Sequence, residues 1–320
     1  MIAFYKENII DNTIRIDSIE KYEPKCWVSI VNPAQNDIDF LMKELHVPDE
    51  FLSHASDIHE ISHVEQINGW TLITTRVSVF NASKSIKYYT VPLSILISKD
   101  SIITLCKEAN DVLFVSKLTE YEFFSISNKA NFVLTILLRT AVVFVKHLKN
   151  INKYVHSINL DKEVRKTDKN AKLHSSEVQN MMRMEKSLVY FITSLNSNEI
   201  LINNFQKIRA FKSNQFDTDL LDDLILCNQQ AIELAKSQNK FISDFTNSFS
   251  TLISNNLNLT MRRLTIFTIL LMIPNIFSGF FGMNVPNLLE ANNHAFFAIL
   301  LSSIGLALLL ILIFKKKNIL

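Results

Sequence analysis

The chain has 320 residues, enough for one large or two ordinary domains, and 48% of them are hydrophobic against 20% charged, a balance too apolar for a disordered chain. A net charge of +2 excludes the strongly basic field that neutralises nucleic-acid phosphates. The three scattered cysteines, Cys26, Cys106 and Cys227, form neither a CxxC pair nor a disulfide framework, which suits a reduced compartment.

The N-terminal MIAFYKENII lacks a basic segment followed by a long apolar core and does not read as a secretory signal. Strand-like runs follow at 26–31, 70–80, 88–97 and 102–106, with a helical piece over 34–45, so residues 1–125 are expected to form an α/β domain. Average glycine usage of about 7% predicts roughly 22 glycines, yet there are four, Gly69, Gly279, Gly282 and Gly305. Between Pro92 and Pro274 no proline interrupts the chain, and from residue 93 to 273 neither helix breaker occurs, which calls for long helices. Leu138, Val142, Val145 and Leu148, at steps of four and three, mark a helical hairpin within 126–214 that turns in the polar stretch 162–174.

One local pattern suggests chemistry. His59-Glu60-Ile61-Ser62-His63 matches HExxH, in which two histidines one helical turn apart bind zinc and the glutamate acts as base. A strand-like segment follows almost at once, without a downstream acid or histidine at helical spacing, so a surface helix or turn with incidental histidines is the expected outcome. A metal-sensing role for His54, His59 and His63 is the minor alternative, and a membrane zinc peptidase a remote one. No glycine-rich phosphate loop occurs, so neither ATP-driven transport nor an organic cofactor is expected, and the chain is not read as an enzyme.

A single helix is expected from about 219 to 283, close to 100 Å at 1.5 Å per residue, with 215–263 as a stalk. Asp217 or Thr218 can cap its start, and Asp219, Asp222 and Asp223 crowd its first turns, where the helix dipole favours anions. Residues 264–283 carry no ionisable side chain, and 295–314 are nearly all Ala, Leu, Ile and Phe; each run is long enough to cross a core about 30 Å thick. Arg262 and Arg263 precede the first span and Lys315, Lys316 and Lys317 follow the second in a tail over 315–320, whereas the loop 284–294 has no Lys or Arg. Both termini are therefore expected inside and the loop outside.

The two spans differ. Asn258, Met261, Thr265, Thr268, Met272, Asn275, Gly279 and Gly282 recur at steps of three and four, one seam of the first helix. An Asn275 side chain at mid-depth is costly against lipid, so the seam should face protein or water. Either several copies gather around an axis with the first span inside, or the small and polar residues only pack two helices together.

The first span ends Phe281-Gly282-Met283-Asn284, and here the chain resembles the CorA-type magnesium transporters, whose signature at this place is an aromatic followed by Gly-Met-Asn. The stretches Trp27 to Pro33, ending in Asn-Pro, and Val91 to Ile97 followed by Ile102 to Thr104 are similar to that family's early strand and central hairpin. The resemblance implies an α+β membrane protein: a homopentameric funnel with an N-terminal α/β domain, a helical stalk and two C-terminal spans in the plasma (inner) membrane. It implies channel-like uptake of magnesium, with cobalt or nickel incidentally, and zinc transport as the alternative; a non-conducting membrane-anchored helical scaffold is the alternative of another class. By the same resemblance Gly282, Met283 and Asn284 form the selectivity filter. Gly279, Asn275, Thr268, Met272, Thr265, Leu264, Met261 and Asn258 line the pore, with Asn275 standing where many relatives carry threonine. Magnesium dehydrates reluctantly, so a ring of Asn284 carbonyls that binds its water shell is cheaper than one that strips it. The resemblance further implies a regulatory magnesium at Asp223, with Asp222 beside it, although the expected partner loop, Asn81 to Lys84, has no acid. Lys315, Lys316 and Lys317 resemble the family's basic ring. Self-association, membrane lipids and divalent cations are the implied partners.

Overall fold

A computed structural model of the chain describes residues 2–10, 13–121, 124–164, 171–208, 211, 216–283 and 294–317. It divides into two compact units, Met1–Thr246 and Asn247–Leu320. In chain order the elements of the first unit are β1 (Ile2–Ile10), β2 (Thr13–Ile19), β3 (Trp27–Val31), α1 (Gln35–Lys43), α2 (Asp49–Ser56), β4 (His63–Ile67), β5 (Trp70–Phe80), β6 (Tyr88–Ile97), β7 (Ile102–Cys106), α3 (Val115–Leu118), α4 (Lys129–Val164) and α5 (Ala171–Asn203). A short 3-10 turn, Phe205–Lys207, precedes α6 (Thr218–Phe281), which belongs to both units, and α7 (Ala295–Lys316) lies in the second.

The seven strands form one sheet in the order β2-β1-β3-β7-β6-β5-β4, antiparallel except for the parallel pair β3–β7. Central strands buried on both faces read as nearly unbroken apolar runs, and β5, β6 and β7 are buried over almost their whole length. Alternation then divides the residues between two cores. Val28, Ile30, Leu72, Leu96, Ile103 and Leu105 pack with Leu41 of α1 and with Phe51, Leu52 and Ala55 of α2. Trp27, Ile73, Val77, Leu93 and Ile95 face the opposite way and pack with Phe132, Val133, Leu137 and Ala141 of α4. Further along, α4, α5 and the first turns of α6 make a third cluster through Phe144, Leu148, Met184, Leu188, Phe191, Ala231 and Ala235.

Among the described residues three helices are long and apolar enough to cross a membrane, and burial separates them: the apolar window of Lys129–Val155 is 72% buried, that of α6 11% and that of α7 6%. The apolar face of α4 is used up by the sheet and α5, while α6 and α7 leave theirs bare.

Where β4 ends, the edge of β5 is closed by α5. The Asn198 carboxamide accepts from the Arg76 N–H at 3.0 Å and donates to the Arg76 carbonyl at 2.9 Å, replacing a missing strand at an otherwise open edge. The Arg76 guanidinium then donates to the Glu60 carbonyl at 2.6 Å and to the Thr90 carbonyl at 2.9 Å, tying the 57–62 turn to the sheet.

The strands and helices expected over 26–31, 34–45, 70–80, 88–97 and 102–106 are present as β3, α1, β5, β6 and β7, whereas β1, β2, α2 and β4 are additional. The HExxH stretch is a turn leading into β4, so His59 and His63 do not share a helix face and the peptidase geometry is absent.

His147 on α4 is 4% exposed, with Nδ1 2.9 Å from the Ser78 hydroxyl. Burial drives its pKa down from 6.5 to about 4. The unfolded chain takes up the proton first as pH falls, so stability present above pH 6.5 is lost on the way down to about pH 4, by about 3 kcal/mol in total. Thermal unfolding followed by circular dichroism across that window should show the loss in the wild type and a flatter profile in His147→Gln.

Candidate functional site

The second unit holds the C-terminal part of α6 and α7, and α6 there is two-faced in its exposure. The α6 residues drawn away from solvent are Ile266 and Ile273, each 6% exposed, with Leu270 and Phe277 half-buried; on α7, Ser303 is 3% exposed. At 100° per residue those four α6 positions fall within about 60° of one another. Met261, Leu264, Thr265, Thr268, Met272, Asn275 and Gly279 fall on a strip about 100° wide roughly opposite, with Asn258 at its edge. All eight are exposed within one chain.

The chemistry of that strip is uniform. It carries no charge, since Arg262 and Arg263 both fall within about 60° of the shielded face. The Thr265 hydroxyl donates to the Met261 carbonyl and the Thr268 hydroxyl to the Leu264 carbonyl, each at 2.9 Å. With their protons committed to the helix, both oxygens present lone pairs outward, and Asn275 adds a carboxamide carbonyl one to two turns further on. Met261, Leu264 and Met272 break the polar surface with apolar side chains that are 61%, 59% and 57% exposed. The strip can accept hydrogen bonds from water, including water held by a cation, at polar positions separated by apolar side chains.

Glycines bound the strip at its far end. A Cβ on Gly282 would meet the Ser278 carbonyl oxygen at 2.9 Å, because the chain closes there on a Gly282 N–H to Ser278 carbonyl hydrogen bond of 2.9 Å. A Cβ on Gly279 would meet nothing within 4 Å, so no contact among the described residues of one chain calls for a glycine at 279. Pro274 lies inside α6 and removes the N–H that would bond the Leu270 carbonyl. Met283 is exposed; Asn284 and the rest of 284–293 lie outside the described residues. Lys315 and Lys316 occupy the last turn of α7 and Lys317 caps it, its N–H donating to the Ile313 carbonyl at 3.0 Å, where the helix dipole favours cations.

At the other end of α6 the Asp217 carboxylate accepts from the Leu220 N–H at 3.0 Å and caps the helix. Asp222 and Asp223 are exposed on the first turns. The loop Asn81 to Lys84 is engaged with an acid from elsewhere: Lys84 pairs with Glu108 at 2.8 Å and lies 4.0 Å from the Tyr89 ring centroid, and Tyr89 hydrogen-bonds Glu108. Burial alone raises the Glu108 pKa, but hydrogen bonds from Lys84 and Tyr89 and the Lys84 charge prevail and hold it below the usual value. Sequence reasoning found no acid in that loop and missed Glu108, which comes from beyond β7. Among the described residues, the one cluster of three His, Cys, Asp or Glu ligands within metal-binding reach is His54, Glu60 and His63; Asp222 and Asp223 are not in it. A cavity of about 290 Å³ beside Lys146 and Asp111 contains the His147–Ser78 pair, but both residues are buried and their hydrogen bond is internal to the core.

The comparisons agree on one architecture. The cobalt/magnesium transport protein CorA of Methanocaldococcus jannaschii is 23% identical over 327 aligned residues, which cover 99% of this chain and 98% of the relative. The complete structure of the CorA magnesium transporter from the same organism is similar with a TM-score of 0.74 at 17% identity, covering 99% of this chain and 98% of that one. The full-length CmaX protein is similar with a TM-score of 0.67 at 14% identity, over 99% and 97% of the two chains. The family model described as CorA-like Mg2+ transporter protein matches residues 23–316, from just before β3 to the last residue of α7, and the chain therefore belongs to the CorA-like magnesium transporter family.

Proposed function

We propose that this protein is a channel-like transporter that carries hydrated magnesium, and cobalt or nickel less selectively, across the plasma membrane. The observation that carries the reading is the uncharged, acceptor-rich strip of α6 lying opposite the face that is buried in the second unit, in a chain of the CorA-like family. A single such strip encloses nothing. Copies of the chain arranged about an axis, five in the family's manner, place it on the inside and leave α7 toward lipid, which also gives Gly279 a reason to lack a side chain.

In this arrangement Gly282, Met283 and Asn284 close the outer mouth. The Asn284 carboxamides bind the water shell rather than the ion, so a small, tightly hydrated cation passes without the cost of dehydration. Asn275, Thr268 and Thr265 repeat that chemistry inside the span, and Gly279 leaves the path wide. Met272, Leu264 and Met261 form collars that conduct when wet and block when dry, and Asn258 lies at the inner end. The inside-negative potential supplies the drive, about 4.6 kcal/mol for a divalent ion at 100 mV. Lys315, Lys316 and Lys317, with Arg262 and Arg263, hold both termini on the cytoplasmic side.

Asp222 and Asp223 are the proposed ligands of a regulatory magnesium between copies. With Glu108 held by Lys84 and Tyr89, a neighbouring copy has to provide the remaining oxygens by carbonyl or water.

In liposomes loaded with a magnesium-sensitive dye, purified wild-type protein should admit magnesium. Asn284→Ala should slow that flux by at least about tenfold, the cost of about 1.4 kcal/mol at the barrier. Equal flux from both proteins, or admission of zinc but not magnesium, overturns the reading. For regulation, the double substitution Asp222→Ala/Asp223→Ala should abolish inhibition of uptake by magnesium on the cytoplasmic side; inhibition identical to wild type removes these carboxylates from the mechanism.

A further inference from the structure

The transport reading leaves the HExxH stretch unused. In the folded chain its two histidines are separated by a turn: the His59 N–H is held by the Asp57 carboxylate at 2.8 Å and His59 is exposed, whereas His63 begins β4. Glu60 is directed instead toward a histidine from another element. Its Oε2 lies 3.3 Å from Nδ1 of His54 on α2 and its Oε1 3.5 Å from Nδ1 of His63, and the two imidazole centroids are 5.8 Å apart. One ligand atom from each of the three residues lies within 4.8 Å of both others. A tetrahedral ion bonded at about 2.0–2.1 Å sets its ligand atoms roughly 3.3–3.4 Å apart, so a bound ion draws the three side chains together from their 4.8 Å spread.

We propose that His54, Glu60 and His63 form a binding site for a divalent transition-metal cation of the zinc and cobalt class at the β4 edge of the sheet. Two imidazoles and one carboxylate suit that class, whereas magnesium takes oxygen ligands in an octahedron. Three protein ligands leave a coordination position for water.

The surroundings are built rather than incidental. The turn carrying Glu60 is fixed through its backbone, with the Arg76 guanidinium donating to the carbonyls of Ile58 and Glu60 at 3.3 and 2.6 Å. Ser62 is pinned to α5, its N–H donating to Ser197 Oγ at 2.9 Å and its hydroxyl to Asn198 Oδ1 at 2.6 Å. The Ile61 carbonyl lies 2.9 Å from His63 Nδ1 and takes the proton of that nitrogen, which leaves Nε2 as the ligating atom; this is the type of outer hydrogen bond that sets a metal-ligating imidazole. The three side chains remain reachable, 41%, 17% and 25% exposed for His54, Glu60 and His63.

A second observation stands apart from the cluster. In the strand register His63 lies opposite Thr74, and Thr74 opposite Ser94. Residues so paired share one face of a sheet, here the face that packs on α2 and so bears His54. Thr74 and Ser94 are completely buried, and neither hydroxyl has a hydrogen-bond partner among the described residues. Unpaired buried hydroxyls are costly, and Thr74 is the one directly across the ladder from His63.

The test is direct binding to the purified full-length protein, read as the visible d–d absorption of cobalt(II) added alone, which is independent of transport. Wild type should develop a band of low-symmetry coordination that zinc displaces and excess magnesium does not. His63→Ala and Glu60→Gln should lose it, and His59→Ala should keep it. His54→Ala, at an exposed helical position, serves as the loss variant should substitution on β4 impair folding. Absence of the band in wild type, its survival in His54→Ala/His63→Ala, or displacement by magnesium overturns the proposal and leaves a histidine–glutamate hydrogen bond at His54 and a longer contact at His63.

Discussion

A helix in contact with lipid tolerates hydrogen-bonding side chains only where they face other protein or water. That constraint shapes α6. Its threonines spend their protons on their own helix, leaving oxygens outward, and its arginines fall toward the other side. Its shielded face is purely apolar, Ile266, Leu270, Ile273 and Phe277. A fixed positive charge on the strip would repel the ion, and a fixed negative one would hold it; carboxamides and hydroxyls do neither strongly. Met272 and Leu264 interrupt the acceptors with exposed apolar side chains, and in the proposed pore water continuity at these positions, rather than any ligand bond, is the variable that stops or allows flow.

The first unit follows a different economy. Its central strands are buried on both faces, and residues of alternate parity serve two separate cores. The helical layer packs on the strands through the apolar core, and α5 is further fastened by polar contacts at the sheet edge: Asn198 substitutes for a missing strand beside Arg76, and Arg76 in turn holds the turn before β4. A ligand that fixes this turn therefore acts on groups hydrogen-bonded directly to α5, a short physical route from the surface of the unit into its helical layer.

Much of this was legible in the sequence, and the exceptions have physical causes. The buried strands β5, β6 and β7 announce themselves as apolar runs, and α6 and α7 through the absence of charge over a membrane-length stretch. α4 shows why hydropathy alone is insufficient: it passes the same length and composition test, yet its apolar surface is covered. The hairpin of β1 and β2 went unrecognised because Lys6, Glu7, Arg15 and Asp17 give its paired segment the look of a loop, though the alternation Ile14-Arg15-Ile16-Asp17 carried the signal. α2 is only eight residues and β4 only five, too short for a period to emerge. Spacing in HExxH pairs His59 with His63, but the chain turns there and His59 faces solvent; Glu60 meets His63 from within the pattern and His54 from α2, and the contact with His54, made by the turn of the chain, is the part that spacing does not encode. Nor does the sequence reveal that Glu108, from beyond β7, stands beside Lys84.

The central claim is that the strip containing Thr268 and Asn275 faces an aqueous path while the face containing Ile273 does not. The most direct measurement is reaction of single cysteines at 268, 273 and 275 with a polar, membrane-impermeant thiol reagent, in a background lacking Cys26, Cys106 and Cys227, with the protein in lipid. The account predicts reaction at 268 and 275, with loss of magnesium flux on modification, and protection at 273. Equal reactivity at all three positions, or reaction at 273 alone, contradicts it.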